Sequence, residues 1–356
     1  MFKILLSSSI AFVITFFAIP AIIRVSVLKG LFDEPCERKQ HAQNLPTLGG
    51  LAIFAGTVFS YTFCSASIDS SVSQYIIAAI IVLFFIGIKD DLYNLTPHKK
   101  LIGQVLAAII VVFFANIRIT SLCGIFGIYQ IPYWFSAALS VFTILTIINA
   151  YNLIDGIDGL AGGIGAIASF TFGLWFYNYG NIGLCILSFA LFSSLIAFLI
   201  YNFNPASIFM GDTGSLVVGL ILSVLAIKFI GLSFESLPFE FPFRSSPAMA
   251  IAILIIPLAD TFRIFLIRIL NGKSPFEADR NHIHHNLLDL GMTHREATLT
   301  LYVINIGFIT TAMLLRNISS LILLYILIGM ALLFCITPYI LKSVFRTTQN
   351  TVKMAE

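Results

Sequence analysis

Charged residues are scarce in this chain. Asp, Glu, Lys and Arg make up 10% of its 356 residues, whereas they make up about 25% of a typical soluble domain. Hydrophobic residues account for 58%, and the mean hydropathy is +0.97. This composition predicts an integral membrane protein, and the small net charge of +3 does not favour nucleic-acid binding.

Paired cysteines, internal repeats and low-complexity tracts are also missing. The five cysteines are scattered and include no CxxC pair, which argues against a disulfide framework and against a zinc ribbon. Residues 1–20 carry no convincing cleavage site and are predicted to be a retained first span rather than a signal peptide. Residues 1–356 are therefore predicted to form a single polytopic membrane domain.

Long apolar runs are abundant. Windows of about 20 apolar residues predict an all-α fold with about eleven transmembrane helices. A short periplasmic β-hairpin is predicted around residues 117–133, which are rich in strand-forming residues. The predicted helices are centred near residues 4–23, 47–65, 74–88, 101–116, 132–148, 160–177, 182–201, 214–232, 248–267, 298–315 and 319–340.

The basic residues predict the orientation. Fifteen of the twenty Lys and Arg residues fall in one set of loops and four in the opposite set. The positive-inside rule then predicts an outside N-terminus, a cytoplasmic C-terminus and insertion in the inner (cytoplasmic) membrane. The predicted active site lies on the cytoplasmic face and is built from loops 24–46, 89–100, 149–159, 202–213 and 268–297.

Two acidic segments end predicted spans on that face. Asp90 and Asp91 are adjacent carboxylates, which require a cation, a bound positive group or open water; a solvated helix end is the alternative. The segment INAYNLIDGIDGLAGG spaces Asn149, Asn152, Asp155 and Asp158 three residues apart. Their oxygens suit magnesium, with Mn²⁺ as the alternative ion, although such a segment is also typical of a simple turn.

The segment NFNPASIFMGDTGSL leads directly into another predicted span. Its Gly211-Asp212-Thr213 sequence brings backbone amides and a hydroxyl to a helix N-terminus, which favours a seat for phosphate or its metal. Simple capping of the helix by Asp212 is the alternative.

The most charged loop is SPFEADRNHIHHNLLDLG. Arg280, His282, His284 and His285 can converge there on an anion such as a diphosphate. A zinc site is disfavoured because neither a cysteine nor an HExxH pattern accompanies them, and a solvated basic loop is a further alternative. Acids for magnesium, cations for phosphate and an apolar body for a lipid are the parts that phosphoryl transfer requires.

These segments, in this order, resemble the polyprenyl-phosphate N-acetylhexosamine-1-phosphate transferase family, in particular its bacterial WecA-type branch. The similarity runs from residue 33 to about residue 290 and opens with DEPCERKQHAQNLPTLGGLAIF. The His-Ile-His-His order resembles the N-acetylglucosamine branch. The phospho-N-acetylmuramoyl-pentapeptide transferase branch instead carries an unbroken histidine run.

The resemblance implies transfer of N-acetylhexosamine 1-phosphate, with N-acetylglucosamine favoured, from a UDP-sugar to undecaprenyl phosphate. The products would be undecaprenyl-diphosphate-sugar and UMP, as the initiating step of cell-surface glycan synthesis, with Mg²⁺ as cofactor. The residues expected to act are, for catalysis, Asp90, Asp91, Asp155 and Asp158; for the metal, Asn152 and Asp212; and for substrate, Lys100 (Lys99 being the less favoured register), Asn149, Arg280, His282, His284 and His285.

Several alternatives stay open at this point. They are a muramoyl-pentapeptide transferase-like activity, a lipid head-group enzyme that uses no nucleotide, and an ion-coupled transporter, which would carry its acids near the bilayer midplane on repeated, broken helices. A phosphate monoester is mostly dianionic at neutral pH, since its second pKa is about 6. Direct attack by the acceptor is therefore favoured over a covalent aspartyl intermediate. The oligomeric state is left open, with a homodimer as one alternative.

Overall fold

The computed structural model describes residues 1–31, 45–65, 70–235, 245–270, 272 and 283–355. These ranges consist of helices joined by loops, and no β-strand occurs within them. The last turns of α4 continue as a π-helix, Ile110–Phe114. The helices are α1 (Phe2–Lys29), α2 (Gly49–Ser65), α3 (Ser70–Tyr93), α4 (Pro97–Ile109), α5 (Tyr133–Leu153), α6 (Leu160–Tyr179), α7 (Ile182–Asn202), α8 (Gly211–Glu235), α9 (Ser246–Ile253), α10 (Ile255–Leu270), α11 (Ile283–Asp289), α12 (His294–Leu314) and α13 (Ser320–Ala355).

The predicted membrane architecture is confirmed. Among the described residues, nine helices are long and apolar enough to cross a membrane. The pair α9 and α10, bent by 82°, passes the same test when taken together. α2 is apolar and 17 residues long, which gives it a length of about 26 Å. These elements coincide one to one with the eleven predicted apolar windows, so the chain is a multi-pass membrane protein.

α8 is the central helix of the bundle. In its most apolar window, 83% of the residues are buried, whereas α1 and α13 have 22% and 17% of theirs buried. Glycines allow neighbouring backbones to approach α8 closely, as is common where membrane helices pack. A Cβ at Gly87 of α3 would lie 2.4 Å from the Thr213 Cα, and one at Gly50 of α2 would lie 2.1 Å from the Gly214 nitrogen. The N-terminal end of α8 is thereby held against α2 and α3.

The predicted hairpin around residues 117–133 is wrong in its secondary structure. Neighbouring helical serines, rather than a partner strand, satisfy the extended backbone here. The backbone N–H of Ile119 donates to the Ser140 Oγ at 2.8 Å, and the Ser136 Oγ donates to the Ile119 carbonyl oxygen at 2.6 Å. Two backbone bonds cross this loop, from the Ile131 N–H to the Thr120 carbonyl oxygen and from the Gly124 N–H to the Ile128 carbonyl oxygen, and they form no strand ladder. The side chains of α5 thus compete successfully with the ladder that a β-hairpin would need.

Candidate active site

Four helix ends meet at one point in the bundle. They are the C-terminal ends of α3 and α5 and the N-terminal ends of α4 and α8. Together they bring Asp90, Lys100, Asn152 and Asp212 into contact, and we call these four residues the Lys100 cluster. The hydrogen bond between Lys100 and Asp212 joins residues that are 112 positions apart in the sequence.

The ammonium group of Lys100 is the centre of this cluster. Its Nζ lies 3.0 Å from the Asp90 Oδ2 and 3.3 Å from the Asn152 Oδ1, and it also donates to the Asp212 Oδ1. The Lys100 side chain is 16% exposed, whereas Lys99 is exposed. Three oxygens from three helices therefore surround one cationic group, and Lys100 rather than Lys99 takes that position.

Asn152 connects the cluster to the first turn of α8. Its Nδ2 donates to the Asp212 Oδ1 and, at 2.8 Å, to the Ser215 Oγ. Ser215 in turn donates to the Asp212 carbonyl oxygen at 3.4 Å. Ser215 was not among the predicted site residues, although its position three residues after Asp212 puts both on one face of the helix.

Asp91 has a different environment from its neighbour Asp90. Its Oδ1 accepts the Asp212 N–H at 2.7 Å, and its Oδ2 accepts the Thr213 N–H at 3.0 Å as well as the Thr213 hydroxyl. A carboxylate of α3 thus caps the N-terminus of α8, where it also interacts favourably with the helix dipole. The expectation that these amides seat a phosphate is corrected, because Asp91 already occupies them, and Asp212 does not act as the cap.

Gly211 allows this cap to form. Its φ is +69°, and a Cβ there would lie 2.1 Å from the Thr47 carbonyl oxygen and 2.8 Å from the Asp91 Oδ1. We expect Gly211→Ala to lower the melting temperature and kcat together, since a left-handed non-glycine residue costs about 1–2 kcal/mol even without such contacts. Thermal unfolding and turnover of the purified protein in detergent test this.

The matched control for that substitution is Gly231→Ala, because a Cβ at Gly231 of the same helix meets no atom within 4 Å. Equal melting temperatures for the two variants would contradict the proposed importance of the Gly211 conformation.

Asn149 lies one turn away from Asn152 and pairs with a residue that the sequence analysis missed. Its Nδ2 donates to the Gln104 Oε1 at 2.9 Å, and the Gln104 Nε2 donates back to the Asn149 Oδ1 at 3.2 Å. The Asn149 Nδ2 also donates to the Leu145 carbonyl oxygen at 2.7 Å. A lone glutamine four residues after Lys100 in an apolar helix is the signal that could have identified this partner.

Asp158 is directed toward a second group of loops. The residue is 1% exposed, and its Oδ2 accepts the Ala206 N–H at 3.1 Å and the Asn204 Nδ2 at 3.2 Å. Its carbonyl oxygen accepts the Thr298 hydroxyl at 2.9 Å. Asp158 therefore joins the turn after α5 to the loop after α7 and to α12. Asp155 lies in the same turn and is partly buried.

The basic loop is described only in part. Arg280 and His282 lie outside the described residues, and so do the side chains of His284 and His285, whose backbones belong to α11. The first turn of α11 is attached to α10, because the Ile283 N–H donates to the buried Asp260 Oδ1 at 2.8 Å. Asp260, a further residue that the sequence did not indicate, thus attaches the start of α11 to α10.

The Lys100 cluster has the chemistry of a cation and phosphate site. Its acceptors are carboxylate and amide oxygens, the ligand type that hard divalent ions prefer, and its lysine supplies a mobile positive charge for phosphate. Within the described part of the chain, no group of three or more His, Cys, Asp or Glu side chains is arranged to hold a metal. Metal binding here would therefore combine a few protein oxygens with oxygens from water or substrate, as is usual for Mg²⁺.

Comparison with known proteins agrees with this geometry. The model of glycosyl transferase family 4 matches residues 73–230, a range that includes every member of the Lys100 cluster. A Bacillus subtilis (strain 168) protein named "Probable undecaprenyl-phosphate N-acetylglucosaminyl 1-phosphate transferase" is 34% identical over 335 residues, which cover 90% of this chain and 88% of the relative.

Two further relatives are named undecaprenyl-phosphate alpha-N-acetylglucosaminyl 1-phosphate transferase. The protein from Haemophilus influenzae is 31% identical over 332 residues, covering 91% of this chain and 90% of its own length. The protein from Escherichia coli (strain K12) is 29% identical over 279 residues, covering 77% of this chain and 73% of its own length. The similarity therefore extends over nearly the whole chain.

Proposed function

The chain belongs to glycosyl transferase family 4, and we propose on that premise that it transfers N-acetylglucosamine 1-phosphate from UDP-N-acetylglucosamine to undecaprenyl phosphate. The products are undecaprenyl-diphosphate-N-acetylglucosamine and UMP. The observation that carries this proposal is the Lys100 cluster, in which a lysine and three oxygen ligands meet at the ends of membrane helices. A lipid phosphate can reach such a position from the bilayer, and a nucleotide can reach it from the aqueous side.

The reaction is a phosphoryl transfer, so catalysis depends mainly on position and charge neutralisation. A phosphate oxygen of the lipid attacks the β-phosphorus of the nucleotide sugar, and the bond between that phosphorus and the bridging oxygen breaks to release UMP. Lys100 stabilises the negative charge that accumulates on the diphosphate. Asp90, which holds the Lys100 ammonium at 3.0 Å, orients both that ammonium and the acceptor phosphate.

Magnesium fits the same residues. Asp212 and Asn152 are the proposed ligands, because their oxygens already converge with the Asp90 carboxylate on a cationic group. Bound Mg²⁺ supplies charge neutralisation for the leaving diphosphate, and Mn²⁺ is the alternative ion. An ion held by Asp212 and Asn152 would neutralise the Asp212 carboxylate in place of the Lys100 ammonium, and Lys100 would then be available to the substrate phosphates.

The location of the site follows from the distribution of basic residues. We propose that the Lys100 cluster faces the cytoplasm, where UDP-sugars are made, and that the protein lies in the inner membrane. Arg280, His282, His284 and His285 are proposed to bind the sugar and diphosphate from the aqueous side, with Asp155 and Asp158 in the neighbouring loop. Sedimentation of the purified protein in detergent distinguishes a monomer from a homodimer.

One assay tests the reaction and its metal. The purified protein is given undecaprenyl phosphate and, in parallel, radiolabelled UDP-N-acetylglucosamine, UDP-N-acetylgalactosamine and UDP-N-acetylmuramoyl-pentapeptide. We expect UMP and lipid-linked sugar in equal amounts from UDP-N-acetylglucosamine. Chelation by EDTA should reduce the rate by at least about 100-fold, since the diphosphate charge is then not neutralised, and added Mg²⁺ should restore it.

The alternative functions predict other results, in this assay or in a vesicle uptake assay. Transfer from the muramoyl-pentapeptide substrate alone would indicate that different activity. Uptake of solute into vesicles without UMP formation would indicate a transporter, and lipid turnover without UDP-sugar binding would indicate a head-group enzyme. A rate that EDTA leaves unchanged would contradict the proposed role of magnesium.

A further inference from the structure

A second pair of polar residues lies directly behind the Lys100 cluster. We call Gln104 and Asn149 the amide clasp, because their carboxamides exchange two hydrogen bonds, of 2.9 and 3.2 Å, between α4 and α5. Gln104 is 1% exposed. The third polar bond of the clasp, from the Asn149 Nδ2 to the Leu145 carbonyl oxygen, lies within α5. Both protons of the Asn149 amide are therefore used inside the protein.

The clasp has a fixed relation to the Lys100 cluster. Gln104 follows Lys100 by four residues in α4, and Asn149 precedes Asn152 by three in α5, so each pair lies on one face of its helix. The two helices consequently meet twice, at the contact of Lys100 with Asn152 and one turn deeper at the clasp.

The surroundings make the clasp stiff. Gln104 is buried in an apolar helix, so separating the pair leaves its carboxamide without hydrogen bonds and removes the donor to the Asn149 Oδ1, whereas the Asn149 Nδ2 keeps the Leu145 carbonyl oxygen. A reciprocal pair also fixes direction, because each amide both donates and accepts. Small changes in the spacing or rotation of α4 against α5 are therefore resisted at the clasp and, one turn away, at the Lys100 cluster.

We infer that Gln104 and Asn149 are positioning residues that act as one unit to set the distance between Lys100 and Asn152, and that Asn149 does not bind substrate. The inference rests on the proposed transferase function, since the distance that it concerns matters for that reaction. It replaces the sequence-based assignment of Asn149 to substrate binding. Through Asn152, the clasp also controls how well the magnesium ligands are placed.

A double-mutant cycle tests the inference. The variants are Gln104→Met, Asn149→Leu and the two combined, which remove the amides while nearly keeping side-chain volume. Each single variant should lower kcat by about 10-fold, and the combined variant should lower it by about the same factor rather than by about 100-fold, because residues that act as one unit are not additive. The KM for UDP-N-acetylglucosamine should stay within about twofold, and the Mg²⁺ concentration for half-maximal rate should rise in all three variants.

Thr146→Val is the matched control. It removes an exposed hydrogen bond that lies within α5, to the Phe142 carbonyl oxygen, so its kinetics should equal those of the wild type. Additive losses in the combined variant would overturn the inference. A KM that rises for Asn149→Leu and not for Gln104→Met would also overturn it, since that pattern indicates a substrate ligand.

Two further measurements apply if a variant folds poorly or if the wild type is inactive. If an apolar variant does not survive purification, Gln104→Asn is compared with the exchange Q104N/N149Q, which keeps both carboxamides at the same summed length. A higher kcat for the exchange supports the clasp, and an equal or lower kcat contradicts it. A wild type that forms no UMP would contradict the proposed function. The double-mutant cycle would then be measured as changes in melting temperature. Additive losses of melting temperature would again contradict the clasp.

Discussion

Asp212→Ala is expected to abolish transfer, with kcat falling by at least about 1,000-fold, or about 4 kcal/mol of transition-state stabilisation. Asp212 is the carboxylate that Lys100 and Asn152 share, and it is one of the two proposed magnesium ligands. Its loss removes the charge that holds the ion and leaves Lys100 paired with Asp90 alone. Raising the Mg²⁺ concentration should not restore the rate, because alanine offers no oxygen to bind it.

The loss of kcat is measured as steady-state UMP release over a range of Mg²⁺ concentrations. The control is Glu296→Gln, which removes an exposed carboxylate from the first turn of α12 while keeping an N3 side chain that can complete the capping box with Thr293. That variant should retain wild-type turnover. Normal turnover by Asp212→Ala at ordinary Mg²⁺ concentrations would refute the ligand role of Asp212.

The fold was predictable from the sequence because membrane insertion is a property of composition. An apolar window of sufficient length has few alternatives to a helix in a lipid environment, and the eleven predicted windows are helical in the structure. The loop at residues 115–132 was not predictable in the same way. Its strand-forming composition does not reveal that Ser136 and Ser140 would bind its backbone.

Most residues of the candidate site were predictable from the sequence, but the contacts between them were less predictable. Asp90, Asp91, Asn152 and Asp212 were recognised as polar residues at the ends of apolar segments, and Lys100 was identified through the family resemblance. Their specific pairings depend on which helices are neighbours, and helix adjacency is not encoded in local spacing. Gln104 was missed for the same reason, since its meaning comes from Asn149 across the helix interface. The catalytic, metal and substrate roles remain predictions.

Asp90 and Asp91 show most clearly that local sequence does not reveal which partner a side chain contacts. They are adjacent in sequence and were assigned one shared catalytic role. Consecutive residues of an α-helix point about 100° apart, so one carboxylate contacts Lys100 of α4 while the other caps α8. The same acidic pair therefore serves two purposes, and substitution should separate them.

Asp90→Asn should lower kcat by about 100-fold, in the range that a positioned acid or base contributes, and should lower the melting temperature less than Asp91→Asn does. The asparagine keeps an oxygen for the Leu95 N–H, which Asp90 accepts at 2.6 Å. Its NH2 group then replaces the oxygen that faced the Lys100 ammonium, but Lys100 keeps Asp212 as its counter-ion. The acceptor phosphate and the Lys100 ammonium, however, lose the carboxylate that orients them. UMP release and thermal unfolding of the same preparation measure both effects.

Asp91→Asn should instead lower the melting temperature and kcat together. One amide oxygen cannot replace two carboxylate oxygens that accept from Asp212 and Thr213, and each buried N–H without an acceptor costs about 1–3 kcal/mol. Cooling the assay should restore part of the Asp91→Asn activity, since the helix end then stays ordered, and should not restore the Asp90→Asn activity. The division of roles would be contradicted if Asp91→Asn were as stable as the wild type and as inactive as Asp90→Asn. A trapped phosphoryl group on either aspartate would show that the reaction passes through a covalent intermediate rather than by direct attack of the lipid phosphate.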